Sequence, residues 1–575
     1  MKLLKDLTIS RKEFADWTRN LVWSRDGTLF LTTYPELTVC LPVYNKQIGR
    51  SSKDLFHVKE YPLSLPNKIE YELTEENTML NSQPESFVKL CKPSPVDDLL
   101  AIMTNNGNVC VFRERRLIVE IDEPKKSLKK RTYHSMAWSP DGNFFAVGNE
   151  DGDLVIFSVS RSSDKVDFSL KTAINLDENN SEWVLGIEWS QNAIVVHLSD
   201  NSVHVVKQDF SFMKVKESSR FRVTDVRVIN NDAFITSTGF LHKISLKDNF
   251  STFVEVGICD EFYILPVKSQ NAAVLISNKT SYMVDLEKEM TIHTDSIISP
   301  HLEGKFKKWN NVFNEFNKYE TNLFIYGLAV SPDEASVAIL YNIDRVSIRY
   351  RIASELQYRI CFIPLNEKWF ISQETTGLAW YQNFHIYDSR LPEDSNINSY
   401  TEQLDADVDF ELFLRRLLKD NDINKSRFLN FVNDRKENNK YREAIFRYAE
   451  QNKDAIDNPL DKACVQSLAN ILKKPSPIHS EVVLIKSDFI SETFRFDNNF
   501  DPEIITSEEG HTWRRCSVTL LPLLTTKVKI CPVSAQRIIN IRQDIHNDYG
   551  WFTGTILKVL NNESIYSGTK MLNAE

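Results

Sequence analysis

Hydrophobic and polar positions alternate over short stretches throughout the first two thirds of the chain, a pattern that predicts β-strands. The clearest example runs over residues 134–158. An alternating stretch ends at Trp138, a Ser-Pro-Asp-Gly turn and an apolar stretch follow, and an Asp-Gly turn leads into a third stretch. Asp-Gly is typical of tight hairpin turns because glycine accepts a positive φ. The segment therefore predicts a cassette of three antiparallel strands.

This cassette recurs at a period that distinguishes between β folds. With the serine of the first turn, or its equivalent, as the marker, the repeats lie at positions 24, 94, 139, 190, 229, 268 and 331. Most intervals match the roughly 40–50 residues of a four-stranded propeller blade, and the longer ones predict insertions. The strands of a β-sandwich also alternate, but a sandwich does not repeat such a cassette at this period. Seven markers predict a seven-bladed WD40-like β-propeller.

We expect the propeller to span residues 1–390 and to contain two insertions. The first, about 32–87, is polar and rich in Asn, Glu and Pro, which predicts a long loop. The second, 302–319, spaces its aromatic and aliphatic residues as an amphipathic helix does. A candidate partner-contact surface on this helix consists of Lys305, Lys307, Lys308 and Trp309. Inward packing of the helix aromatics is the alternative.

The pattern changes after the propeller. Residues 391–405 are polar and predict a linker, and three stretches with helical spacing predict a helical segment over 406–475. Alternating stretches return from about 481, so 476–575 predict a C-terminal α+β domain. The fold class predicted for the whole chain is mainly β, with the propeller followed by a small helical segment and this α+β domain.

Composition narrows the classes of function. The 575 residues include 69 Lys and Arg against 79 Asp and Glu, and the net charge of -10 speaks against a protein that covers nucleic acid with a uniformly basic surface. Glycine is scarce, at 16 residues, and the sequence has no phosphate loop, nucleophile elbow or paired-histidine zinc helix. We expect no catalytic residue, no cofactor and no enzymatic activity. The eight scattered cysteines are typical of a reducing compartment.

A basic cluster between two predicted blades is a candidate binding site. It places five cations within seven residues, namely Lys125, Lys126, Lys129, Lys130 and Arg131. Such a density of positive charge can bind importin or a phosphate backbone. A solvated loop between blades is the alternative.

Two motifs near the C-terminus have the spacing of a zinc ribbon. Cys516 is followed by Thr519 and Cys531 by Ser534, so each knuckle has a hydroxyl in place of its second thiolate. His511 could add a third donor, and no fourth is evident. Because hydroxyls are poor zinc ligands at neutral pH, we expect a metal-free fold in which both cysteines pack as apolar residues.

Several segments together resemble one family. They are 2–7 with 11–14, 82–84, 91–95, 305–309 with 314–316, 377–382, 516–534 and 547–553. Through them the chain resembles, from end to end, the smaller WD-repeat subunits of TFIIIC, the general factor of RNA polymerase III. The resemblance implies that the corresponding subunit of related eukaryotes ends in a zinc-finger module, which accounts for the degenerate ribbon in this chain.

The resemblance implies a nuclear, non-catalytic scaffold subunit in the TFIIIC lobe that engages the B box, acting in initiation at tRNA and 5S rRNA genes. The implied partners are the larger WD-repeat subunit, the largest subunit of the same lobe, and the TATA-binding protein, through which TFIIIB would be recruited. The subunit would bridge the two lobes and meet DNA through the complex, with no membrane and no small-molecule substrate. The alternative is a propeller scaffold subunit of a nuclear pore or a membrane coat.

Overall fold

The structure is a computed structural model of the 575-residue chain. It describes all residues except 1–4, 10–18, 25–26, 35, 43–55, 67–85, 122–131, 162–164, 248–250, 258–259, 268–269, 287–289, 296, 306, 308–320, 333–335, 346–357, 366–408, 420–438, 481, 497–499, 532–533, 562, 566–570 and 575. The chain divides into two compact units. Unit 1 comprises Met1–Val43 and Asp54–Glu367, and unit 2 comprises Tyr44–Lys53 and Lys368–Glu575.

Unit 1 contains seven four-stranded antiparallel sheets, which we number as blades 1 to 7. The first strand of the chain, β1 (Lys5–Ile9), belongs to blade 7. Blade 1 comprises β2 (Leu21–Trp23), β3 (Leu29–Leu31), β4 (Leu37–Pro42) and β5 (Phe56–Tyr61). Blade 2 comprises β6 (Val88–Pro93), β7 (Leu99–Thr104), β8 (Val109–Arg113) and β9 (Arg116–Ile121). Blade 3 comprises β10 (Tyr133–Trp138), β11 (Phe144–Asn149), β12 (Asp153–Arg161) and β13 (Val166–Asn175).

The remaining blades repeat the same order of strands. Blade 4 comprises β14 (Val184–Trp189), β15 (Ala193–Leu198), β16 (Val203–Lys207) and β17 (Phe212–Lys216). Blade 5 comprises β18 (Val223–Ile229), β19 (Asp232–Ser237), β20 (Phe240–Ser245) and β21 (Ser251–Glu255). Blade 6 comprises β22 (Tyr263–Val267), β23 (Ala272–Ile276), β24 (Ser281–Asp285) and β25 (Thr291–Thr294). Blade 7 comprises β26 (Thr321–Val330), β27 (Ser336–Arg345) and β28 (Tyr358–Pro364), with β1 as its outermost strand.

The seven blades form a closed ring. The first strand of each blade contacts the first strand of the next, from β2 through β6, β10, β14, β18 and β22 to β26, and β26 contacts β2 again. Blade 7 takes its outer strand from the start of the chain, because β1 pairs antiparallel with β28 over Lys5–Ile9. The fold is therefore a seven-bladed β-propeller whose ring is closed by both ends of the repeat region. This confirms the predicted fold class.

The first turn of each blade explains the repeat seen in the sequence. Every marker position coincides with the end of a first strand or directly follows it. In blade 3, Ser139 Oγ donates a hydrogen bond to Asp141, accepts one from the Phe144 N–H at 2.8 Å, and precedes Gly142, which has a φ of 69°. Blades 5 and 6 make the left-handed first turn with asparagine, at Asn231 and Asn271. The low glycine content is therefore compatible with a propeller.

Neighbouring blades are closely packed against each other. Second strands such as β7 and β15 are buried along their whole length, which is typical of strands covered on both faces. A Cβ on Gly148 of blade 3 would lie 2.3 Å from Val184 Cγ1 of blade 4, so this position accepts no larger residue without a shift of that strand. Trp138 reaches blade 2, where its Nε1–H donates to the Lys92 carbonyl oxygen at 3.0 Å.

The predicted insertions differ from the structure in their bounds. The expectation of a loop over all of 32–87 is wrong, since β4 and β5 of blade 1 lie within it. The strand β5 escaped the sequence pattern because it is an outer strand whose residues are mostly exposed. Residues 299–305 and 307 are helical, so the second predicted insertion begins with a helix that starts before 302, and 308–319 lie outside the described residues.

Unit 2 is an α+β structure. Its described residues form the helices α1 (Phe410–Lys419), α2 (Asn439–Gln451), α3 (Pro459–Leu472) and α4 (Trp551–Leu560), with a short 3-10 turn at Lys453–Ala455. Two strand pairs are formed by β29 (Val483–Lys486) with β30 (Ser491–Phe494), and by β31 (Ile504–Thr506) with β32 (Thr512–Arg514). A third sheet places β33 (Val528–Ile530) between β34 (Arg537–Ile539) and β35 (Leu572–Asn573). None of the described helices is long and apolar enough to span a membrane.

One hydrophobic core holds unit 2 together. It extends from Phe410 to Met571, and the ring of Phe410 stacks on that of Phe552 with centroids 4.9 Å apart. Asp461, fully buried on α3, accepts hydrogen bonds from the N–H groups of Phe552 and Thr553 at the start of α4, at 3.1 and 2.8 Å. The boundary expected at 475 therefore does not separate two cores, since the helices and the strands share one.

Candidate partner-binding surfaces and the charged propeller axis

Two large apolar side chains project from the surface of unit 2. Phe489 is 95% exposed and Ile545 is 82% exposed. Their chain neighbours are in contact: His546 Nε2, next to Ile545, lies 2.7 Å from Oδ1 of Asp488, which precedes Phe489. Lys527 Nζ lies 2.6 Å from Oδ2 of the same Asp488. Exposed apolar groups of this size are typical of surfaces that bind another protein. We call this pair the Phe489 surface.

The loops under the Phe489 surface are fixed in place. Asn547 exchanges two hydrogen bonds with the backbone of Lys486, at 2.8 and 2.9 Å. Tyr549 donates its hydroxyl proton to Asp544 Oδ2 at 2.6 Å, and burial, followed by the charge of Asp544, raises the pKa of Tyr549 far above its ordinary value. The apolar residues Leu523 and Leu524 line an adjoining depression. These hydrogen bonds therefore hold in place the two loops that carry Phe489 and Ile545.

A second apolar patch lies on unit 1, at the rim of blade 5. Phe253 is 68% exposed and Phe221 is 52% exposed. Both pack edge-on against Phe240, with ring centroids 6.3 and 5.5 Å apart. Because the three rings support one another, this rim patch is a second candidate contact surface.

The degenerate zinc ribbon lies within the core of unit 2. Cys516 and Cys531 are buried, and Ser534 donates its backbone N–H to Cys531 Sγ at 3.3 Å. The Thr519 hydroxyl is buried without a hydrogen-bond partner.

The donors around these cysteines do not fit zinc. His511 is 62% exposed and its Nδ1 lies 2.6 Å from Oε1 of the buried Glu492, so it is engaged elsewhere. In the ranges that the structure describes, no three His, Cys, Asp or Glu side chains come together as metal ligands. Two thiols with two hydroxyls lack the four nitrogen or sulfur donors typical of a structural zinc site.

The predicted basic sites have different outcomes. The cluster Lys125, Lys126, Lys129, Lys130 and Arg131 lies outside the described residues. On the predicted contact helix, Lys308 and Trp309 also lie outside them, and Lys307 is exposed.

Lys305 is not available to a partner. Its side chain is 16% exposed, and its ammonium group forms an ion pair with Asp6 and donates to the Tyr341 hydroxyl at 3.1 Å. The residue ties the helical insertion to the strand that closes the ring, a role that could not be read from the spacing of the helix alone.

A cluster of charged residues at the axis of the propeller went unrecognised in the sequence. The first strands of the blades converge there. The charged side chains on these strands, or just before one in the case of Arg19, are Arg19, Lys89, Lys92, Glu188, Asp225 and Arg227. Burial, and next the charge of Arg19, lowers the pKa of Lys89. Burial, and again Arg19, lowers the pKa of His197 to about 3, so this histidine is neutral. The sequence signal for this cluster is a charged residue within an otherwise apolar first strand, as in β18.

Comparisons with known proteins found one matching family in each of the two units. The family described as the putative zinc-finger of the transcription factor IIIC complex matches residues 487–571. The family described as the anaphase-promoting complex subunit 4 WD40 domain matches residues 91–192. The transcription factor tau 60 kDa subunit of Saccharomyces cerevisiae is 43% identical over 586 residues, which cover 99% of this chain and 100% of that protein. The chain belongs to the TFIIIC tau 60 kDa subunit family.

Membership of this family confirms the resemblance found in the sequence and supports a role as a subunit of a transcription factor. The relative and the matched family are both named for this transcription factor. A chain in a crystal structure of the mitotic checkpoint complex aligns with a TM-score of 0.42 and 11% identity, over 64% of this chain and 96% of that one. That likeness is too distant to bear on function.

Proposed function

We propose that the chain is a non-catalytic scaffold subunit of TFIIIC that acts in the nucleus during initiation by RNA polymerase III at tRNA and 5S rRNA genes. It pairs with the larger WD-repeat subunit in the B-box-binding lobe, bridges to the other lobe, and helps to recruit TFIIIB through the TATA-binding protein. The observation that carries the proposal is the match over 99% of the chain, since it includes the propeller and unit 2 alike.

The physical character of the chain supports a scaffold. A propeller presents two faces and a rim to other proteins, and unit 2 adds a separate folded surface. The net charge of -10 suits a subunit that meets DNA through its complex, because a chain that neutralises many phosphates itself needs an excess of Lys and Arg.

We assign the contact with the larger WD-repeat subunit to the Phe489 surface. Phe489 and Ile545 are the most exposed large apolar side chains among the described residues. They lie beside a charged pair that could form the polar rim of an interface, while the apolar side chains form its centre. Burying both would contribute about 3–6 kcal/mol, at roughly 1.5–3 kcal/mol for each large apolar side chain.

The test uses the full-length chain, tagged and co-expressed with the larger WD-repeat subunit. The double variant Phe489→Ser with Ile545→Ser should lose co-purification of that subunit, while its melting temperature stays that of the wild type. The matched control is Phe253→Ser in the rim patch, which should keep the partner. If the double variant retains the partner and Phe253→Ser loses it, the rim patch carries the contact and this assignment is wrong.

A further inference from the structure

Arg19 spans the axis of the propeller. The residue precedes β2 of blade 1, and its Nη1–H donates a hydrogen bond to the carbonyl oxygen of Leu185, on β14 of blade 4, at 3.1 Å. Blades 1 and 4 are not neighbours in the ring, so the side chain crosses the space that the first strands enclose. An ideal Cβ on the adjacent Gly186 would lie 2.1 Å from Cε1 of His197 and 3.3 Å from Nη2 of Arg19, so the glycine makes room mainly for the buried His197, which lies beside this guanidinium.

Cations outnumber carboxylates around Arg19. The six side chains at the axis comprise four cations and two carboxylates. Asp225 is already engaged, because it accepts the N–H groups of Val226 and Ile264, each at 3.0 Å, and its Oδ2 lies 3.3 Å from Arg227 Nε. Glu188 Oε2 lies 3.8 Å from Arg227 Nη1. Both carboxylates are therefore paired with Arg227.

Two of the other cations lack a carboxylate of their own. Within the described part of the chain, neither Arg19 nor Lys92 forms an ion pair with an Asp or Glu side chain. Burial lowers the pKa of Lys92. The charge of Glu188 raises this pKa, whereas the charges of Arg227 and Arg19 lower it further. An anion placed between these cations would offset their repulsion.

We propose that the propeller axis binds a small anion of the phosphate class, held by Arg19 and Lys92. Because both carboxylates of the cluster are paired with Arg227, an anion between Arg19 and Lys92 would offset the positive charge of these two side chains. The planar guanidinium of Arg19 can donate paired hydrogen bonds to phosphate oxygens, and the ammonium group of Lys92 adds a point charge. The ligand is small because an arginine that reaches from blade 1 to blade 4 leaves no space for a nucleic-acid duplex.

The experiment titrates pyrophosphate into the purified full-length chain by calorimetry at low ionic strength. We expect one site per chain. Lys92→Gln should weaken binding by about tenfold or more, because it removes a charge-assisted contact. Glu188→Gln should strengthen binding several-fold, since it removes a competing carboxylate from the same site. The matched control is Lys279→Gln on blade 6, where a lysine whose side chain is 80% exposed undergoes the same change of charge, and it should bind as the wild type does.

Two results would overturn the proposal. The first is the absence of stoichiometric binding by the wild-type chain, and the second is an equal loss of affinity in Lys92→Gln and Lys279→Gln, which would place the anion on the outer surface. Opposite shifts in Lys92→Gln and Glu188→Gln cannot both come from a damaged fold, so this pair keeps the test independent of stability. Either negative result would leave the scaffold function untouched, because co-purification with the larger WD-repeat subunit measures that separately.

Discussion

Trp23 in blade 1 donates its Nε1–H to the carbonyl oxygen of Ala329 in blade 7, at 3.1 Å. The bond crosses the joint between the first and the last blade. Trp138 makes the equivalent bond from blade 3 to the Lys92 carbonyl oxygen of blade 2, at 3.0 Å. The joint where the ring closes is therefore built like a joint inside it, and the pairing of β1 with β28 adds a second connection.

Removing the indole donor of Trp23 should weaken the closure of the ring. Trp23→Phe leaves the Ala329 carbonyl without this donor and removes part of a buried ring, so we expect a loss of about 1–3 kcal/mol in the free energy of unfolding. The measurement is amide hydrogen exchange in β2 and β26 under native conditions. The control is Trp183→Phe, since Trp183 is 48% exposed. Equal protection in both variants would contradict this account of the closure.

The ionised carboxylate of Glu492 should make unit 2 more stable above acidic pH. Burial alone would raise its pKa, but hydrogen bonds from Ser507, Trp513 and His511 outweigh that effect and hold the pKa below the ordinary value of 4.5. A carboxyl whose folded-state pKa is lowered contributes stability that is present above pH 4.5 and is lost as the pH falls through the lowered pKa.

Glu492→Gln tests this pH dependence. At pH 7 the variant should exchange faster than the wild type in β31 and β32, by an amount equivalent to about 1–3 kcal/mol, because charged hydrogen bonds become neutral ones. The difference should shrink as the pH falls below 4.5. A difference that stays constant from pH 7 to pH 3 would show that the charge of Glu492 contributes nothing.

The purified chain should contain no stoichiometric zinc. Cys516 and Cys531 are buried in a hydrophobic core, and the hydroxyls of Thr519 and Ser534 are poor substitutes for thiolates. Elemental analysis should give far less than one zinc per chain, and a chelator should leave the melting temperature unchanged. One zinc per chain, together with a fall in melting temperature on chelation, would contradict the assignment of these cysteines to the core.

Charge reversal in the basic cluster tests whether it is a solvated loop. Replacing Lys125, Lys126, Lys129, Lys130 and Arg131 by Glu should reduce nuclear import or weaken assembly of the complex on DNA, because both importin and phosphate bind dense positive charge. The readouts are the localisation of a fluorescent fusion and gel shifts with the assembled complex. A control with the same number of reversals at exposed lysines elsewhere, Lys165 and Lys279 among them, corrects for the change in net charge. Unchanged localisation and gel shifts would support the solvated loop.

The repeat of the propeller could be predicted because its signals are local. A turn such as Ser139 to Phe144 is made within six residues, so its chemistry is visible in any one repeat. Outer strands such as β5 gave no such signal, because most of their side chains are exposed and their polar positions resemble those of a loop. Strand pairing with the neighbouring strand, and not the alternation of its own side chains, defines β5.

The features that escaped prediction depend on distant parts of the chain. Arg19 and Leu185 are 166 residues apart, and only closure of the ring brings the axial charges together. Lys305 looked like part of a contact surface because its ion-pair partner, Asp6, comes from the other end of unit 1. The shared core of unit 2 likewise depends on the contact between Phe410 and Phe552. Spacing along the sequence contains none of these pairings.

The most direct test of the central claim is affinity purification of the tagged full-length chain from nuclei, with mass spectrometry of the proteins that accompany it. We predict that the other TFIIIC subunits co-purify in near-stoichiometric amounts, with the larger WD-repeat subunit resisting the highest salt. Recovery of the chain alone, or with the subunits of a nuclear pore or a membrane coat, would contradict its role as a TFIIIC scaffold.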